Sequence, residues 1–294
     1  SGSTNTRIGT DAGDSIVASN AGLNNVLIGV NAGTALDSGD SNVAIGVDAL
    51  MAEDDHANNV AIGYQALKVQ DAGQDAYNVA VGYHAGVAVE TGIANTLIGG
   101  IAGDALNTGQ ENVALGYAAL SSDTKGNHTT AIGKDALFSQ NFTSSTDSHN
   151  TAVGHSAGLL VTTGIQNTFV GANAGDALTV GQENVAIGYN ALGADDVGSR
   201  NVAIGWDSLA TQNAPGTTAN NFYNVAVGAN AGATVSTGYY NTFVGGLAGD
   251  GTDDGVGNVA IGTSALSANC GDENTAVGKE AGLLITGGGN VCLG

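Results

Sequence analysis

A five-residue phrase, Asn-(Val/Thr)-x-(Ile/Val)-Gly, recurs from one end of the chain to the other. Its glycines fall at Gly9, Gly29, Gly46, Gly63, Gly82 and onward to Gly294, and 17 residues is the commonest spacing. Three residues after nearly every such glycine stands an alanine, as at Ala12, Ala32, Ala49 and Ala66, with Ser208 the one substitute. Self-similarity at a fixed short period is the signature of a solenoid, in which each repeat is too small to fold alone and is completed by its neighbours.

The phrase reads as a short strand followed by a turn. In Asn42-Val43-Ala44-Ile45-Gly46 the two-residue period puts Val43 and Ile45 on one face and Ala44 on the other. The β-branched residues favour extended backbone, and the expectation is that they point into the core. The glycine permits a turn that a side chain would obstruct. The asparagine reads as a second corner, tolerant of left-handed backbone and able to bond its amide to the copies above and below. A helix is excluded by the regular glycines and the β-branched pairs.

A longer period lies over the first. The residue after the alanine runs Gly13, Gly33, Leu50, Leu67, then Gly86, Gly103, Leu120, Leu137, and continues so until Gly282 breaks the order. The middle residue of the phrase is usually alanine but is Leu27, Leu97, Phe169 or Phe243 in the second coil of each set. The longer connections, before Gly82, Gly154 and Gly228, keep the same phase. The expected architecture is an all-β parallel β-solenoid of about 17 coils, one repetitive domain over residues 1–294 with super-repeats of about 72 residues. At ~4.8 Å per coil it would extend roughly 80 Å.

Composition narrows the function. With 48 glycines, one proline and few aromatics the core must be thin, yet there is no collagen period, and the 42% of hydrophobic residues recur in register, unlike a disordered chain. Six basic against 27 acidic residues give a net charge of −21, which sets nucleic acid aside as a partner. No apolar run has the length of a membrane helix and no signal peptide is visible, so membrane insertion is not expected. The chain opens at Ser1 rather than methionine, which reads as a processed product.

No catalytic constellation emerges, and the chain reads as a non-enzyme. His56, His84, His128, His149 and His155 do not recur with the repeat and read as loop residues, so no metal site is expected. The acidic clusters Glu53-Asp54-Asp55, Asp195-Asp196 and Asp253-Asp254 read as solvated loops. They lack the Gly-Gly-x-Gly-x-Asp phrase of calcium-binding rolls, so adventitious calcium stays open but unsupported and no cofactor is expected. Cys270 and Cys292 have no metal-type spacing, and their pairing stays open. The binding candidates are Tyr64, Tyr117, Tyr189 and Trp206, each directly after a phrase glycine, where a ring at a corner can stack on a sugar or pack on the next coil.

The phrases Asn42–Gly46 and Asn274–Gly278 resemble the head repeats of YadA-type trimeric autotransporter adhesins, and similar repeats occur in phage tail-fibre proteins. The family's usual repeat is shorter, so these coils carry longer loops. The resemblance implies a left-handed parallel β-roll, a homotrimer, and an extracellular, cell-surface or virion-fibre setting with a glycan or protein receptor. On this reading Ala44, Ala61, Ala114, Phe169 and Phe243 lie near the trimer axis. Two further classes stay open. The chain stops at Gly294 midway through a coil, an open edge that suits a self-assembling filament. An ice- or mineral-binding solenoid would need flat threonine arrays, whereas threonine here alternates with valine inside the phrase.

Overall fold

The computed structural model describes residues 4–16, 22–213, 216 and 218–294. The described residues form a parallel β-solenoid with no helix. The chain divides into two compact units, Ser1–His149 and Asn150–Gly294.

In the first unit the phrases supply three-residue strands such as Val26–Ile28, Val43–Ile45, Val60–Ile62 and Thr96–Ile98, each laid parallel on the next. Register is strict: Val43 faces Val60, Ala44 faces Ala61 and Ile45 faces Ile62. The second unit repeats the arrangement from Thr151–Val153 to Val291–Leu293, with Phe169 opposite Ala152 and Ala186. Each unit adds one side ladder of two-residue strands where a connection lengthens, Gly126–Asn127 with Thr146–Asp147 and Gly198–Ser199 with Asn220–Asn221. The longer connection of the second unit carries its own apolar contact, Phe222 against Val197 and Val180.

The strand faces are reversed from the sequence expectation. Ala44, Ala61 and Ala114 are fully buried, whereas Val43, Ile45, Val60 and Ile62 are only half-buried on the outer face. Space decides this. The interior of a 17-residue coil is too narrow for two ranks of β-branched side chains and accepts one inward residue per strand, small in most coils. The same finding removes Ala44, Ala61, Ala114, Phe169 and Phe243 from any intermolecular axis, because all are fully buried within their own coils.

That interior also explains the four-coil period. A side chain on Gly33 would start 2.9 Å from Leu27 Cδ2, and one on Gly103 would start 2.8 Å from Leu97 Cδ2. Where the middle residue is large, the position six residues on is therefore glycine. Where it is alanine, as in the coils of Ala44 and Ala61, Leu50 and Leu67 fill the space and are fully buried. Gly86, one coil before Leu97, yields room to the same side chain, with its absent Cβ 2.6 Å from Leu97 Cδ1. The alternation of Gly and Leu is thus volume complementation across a close-packed interior.

The asparagine is not the left-handed corner. That conformation belongs to the residue before it, as at Asn24, Ser41, Asn58 and Tyr77 with φ between 53° and 67°. The phrase asparagines from Asn25 to Asn274 are buried and accept the backbone N–H one coil on, from Asn42 to Asn25 Oδ1 at 2.7 Å and from Asn59 to Asn42 Oδ1 at 2.9 Å. Nδ2 donates inward, as from Asn25 to the Gly39 carbonyl at 2.8 Å. Buried backbone donors need partners, and this column supplies one per coil. At one coil Thr129 stands in its place, its hydroxyl bonded to Ser148 Oγ at 2.6 Å and accepting from Gln140 Nε2 at 3.0 Å.

Candidate functional site

The turn after the phrase glycine projects a side chain outward in most coils, and four of these are the candidate residues. Tyr64, Tyr117, Tyr189 and Trp206 are 44%, 57%, 55% and 53% exposed, so each ring keeps a face toward solvent. Their settings differ. Tyr64 stacks on Tyr83 with ring centroids 5.6 Å apart, and Tyr83 stacks in turn on His84 at 3.9 Å. Tyr117 lies over Gly100 of the preceding coil, where an added Cβ would sit 3.4 Å from its Cδ2. Tyr189 and Trp206 occupy consecutive coils of the second unit.

A second exposed column escaped the sequence reading. The left-handed residue before each phrase asparagine also points outward, and it is aromatic at Tyr77, Tyr223 and Tyr240. Tyr223 and Tyr240 stack at 5.5 Å, and the Arg200 guanidinium lies 5.5 Å from the Tyr223 ring centre. Arg200 is held by Glu183 through Nε at 3.0 Å and Nη2 at 3.1 Å. That fork lowers the Glu183 carboxyl below its usual range, first through its hydrogen bond and then through charge. The only signal in the sequence was position, one residue before the phrase.

The histidines occupy the frame as well, contrary to the reading of them as unrelated loop residues. His128 and His149 hold this same column on consecutive coils, 21 residues apart because the connection between them is lengthened. Their rings stack at 5.1 Å.

Two of the acidic loops need correction, whereas Asp253 and Asp254 are exposed as expected. Glu53 and Asp195 are fully buried, not solvated, as is Asp123 at the equivalent place. Each accepts a hydrogen bond from a buried glutamine one coil later: Gln70 to Glu53 at 3.0 Å, Gln140 to Asp123 at 2.7 Å and Gln212 to Asp195 at 2.6 Å. The remaining oxygen caps a turn, as in the 2.8 Å bond from the Gly198 N–H to Asp195 Oδ1. At Glu53 the turn residue is His56, whose Nδ1 lies 2.8 Å from Glu53 Oε1 with Asp54 and Asp71 close by. Burial pushes the Glu53 carboxyl up despite those bonds. Burial works to lower His56, but its bond to Glu53 and the surrounding carboxylates outweigh this and raise it. These groups build the fold: their polar atoms are turned to one another and to the backbone.

Cys270 is buried beside the Thr252 hydroxyl at 3.3 Å, Cys292 is half-buried, and the two are not bonded. No protein-family model matches the chain, and no curated protein is significantly similar to it.

Proposed function

We propose that this chain is a non-enzymatic adhesive or fibre module that binds neutral glycans of a cell surface through its corner aromatics. The observation carrying the reading is the outward rank of Tyr64, Tyr117, Tyr189 and Trp206, each about half exposed on a rigid coil. A flat ring fixed in place stacks on a sugar with little loss of side-chain entropy, and repeating a weak contact gains strength through avidity. The net charge of −21 favours neutral over anionic sugars. The resemblance to trimeric adhesin heads and tail-fibre repeats supports the same class and an extracellular or virion setting.

The outer strand face supports self-association. Val43, Ile45, Val60 and Ile62 form a half-exposed aliphatic surface on successive coils, the kind of face a second copy of the chain would cover. The resemblance supplies the number three. Sedimentation equilibrium at micromolar concentration is expected to give the mass of three chains, and a monomer mass would overturn the trimer.

Binding is tested with the triple variant Tyr117→Ala, Tyr189→Ala, Trp206→Ala on glycan arrays and whole cells. It is expected to lose binding at least tenfold while its melting curve stays close to that of the parent. Binding undiminished in the variant would place the contact face elsewhere. An unfolded variant would make the rings packing residues.

A further inference from the structure

We propose that His128, Asp147 and His149 form a binding site for a divalent transition-metal ion, with Glu111 holding the far nitrogen of the His128 ring. The three donor side chains meet on one exposed corner of the first unit, drawn from two successive coils and the side ladder. His128 Nε2 lies 3.3 Å from Glu111 Oε2, and His128 Nδ1 lies 3.2 Å from Asp147 Oδ1. One donor atom from each of His128, Asp147 and His149 lies within 4.8 Å of the other two. Asp147 is held in place by its strand pairing with Asn127, whose Nδ2 donates to Asp147 Oδ1 at 3.1 Å.

Two independent features point to a cation at this corner. His128 Nδ1 has almost no solvent access and faces only the Asp147 carboxylate, at 3.2 Å and short of full hydrogen-bond geometry. A buried nitrogen left so is costly, and a metal bond would satisfy it. The second feature comes from the matching super-repeat. There Glu183 takes the place of Glu111, Arg200 that of His128 and Tyr223 that of His149, beside the equivalent ladder Gly198–Ser199 with Asn220–Asn221. That corner holds a permanent cation, the Arg200 guanidinium, between Glu183 and Tyr223. The His128 corner keeps the glutamate, adds the carboxylate of Asp147 and puts imidazoles in place of the guanidinium and the tyrosine ring. A bound cation would restore the balance.

The donor set selects the ion class. Two imidazoles with a carboxylate suit Zn²⁺, Cu²⁺ or Ni²⁺, whereas Ca²⁺ and Mg²⁺ prefer all-oxygen sites. Bonds of about 2 Å to each donor require the rings to draw slightly together, a movement open to exposed side chains. Seated there, the ion would tie the coil of His128 to the lengthened connection that ends at His149.

The test uses the full chain free of any affinity tag, titrated with Zn²⁺ by calorimetry and with Cu²⁺ by electron paramagnetic resonance. One Zn²⁺ per chain is expected, with nitrogen couplings from two imidazoles on Cu²⁺. His128→Gln, His149→Gln and Asp147→Asn should each weaken binding at least tenfold, and His56→Gln should leave it unchanged. Because Asp147→Asn preserves size at an exposed position, it keeps the test valid should a histidine variant fold poorly. Absence of saturable binding below about 0.1 mM, a Cu²⁺ signal without nitrogen couplings, or affinity lost only in His56→Gln would each overturn the proposal.

Discussion

Gly171→Val is expected to lower stability by about 4 kcal/mol, near the upper end of single-residue effects. Gly171 has φ of +134°, a conformation that side-chain-bearing residues adopt only under strain of about 1–3 kcal/mol. Its absent Cβ would stand 2.5 Å from the Gly188 carbonyl oxygen and 2.7 Å from the carbonyl carbon. Neither strand can yield, because the Gly171 N–H donates to Val153 at 2.8 Å and the Gly188 N–H donates to Val170 at 2.8 Å. Gly171→Ala should cost nearly as much, since the first carbon is the obstacle. Gly246→Ala is the control: its Cβ would meet only the Ala229 carbonyl at 3.8 Å, and a change within about 0.5 kcal/mol is expected. Urea denaturation followed by circular dichroism measures all three. A neutral Gly171→Ala beside a harmful valine would show that bulk rather than backbone conformation is the constraint.

The contrast between Gly171 and Gly246 marks how far the sequence could be read. Strand positions, the parallel stack and the phrase glycine were legible because they repeat at fixed spacing. Period two showed that Val43 and Ile45 share a face, but not which face is inside. Hydrophobicity points to valine and isoleucine. Only the width of the coil makes alanine the inward residue, and width is a property of the closed turn. The deciding signal was present as a correlation six residues apart, Leu27 with Gly33 and Ala44 with Leu50.

Tyr64, Tyr117, Tyr189 and Trp206 were legible as corner residues from their place after the glycine. Tyr77, Tyr223 and the pair His128 and His149 were not, because the residue before the asparagine varies in type and the lengthened connections hide its period. Glu53 and Asp195 resembled solvated loop acids. What distinguishes them is a glutamine 17 residues later, Gln70 or Gln212, a separation that means contact only once one coil is known to be 17 residues.

Phe243→Ala is expected to cost about 3–5 kcal/mol by emptying the interior of its coil. The ring is fully buried and runs into the spaces left by Gly232 and Gly249. Gly249→Leu alone should also destabilise, because a side chain there overlaps the Phe243 ring. The two changes together should do less harm than Phe243→Ala alone. They recreate the arrangement of the next coil, where Ala260 in the strand is matched by Leu266, fully buried at φ of 51°. Gly249 has φ of 62°, so leucine enters a backbone conformation this fold already gives it. Recovery of about 1–3 kcal/mol is expected in a double-mutant cycle. It should be partial, since the space beside Gly232 was also filled by Phe243 and the new leucine lies one coil away. Thermal and urea unfolding of the four proteins supply the cycle. If the double variant is as unstable as the sum of the two single changes, glycine and leucine do not alternate to conserve interior volume.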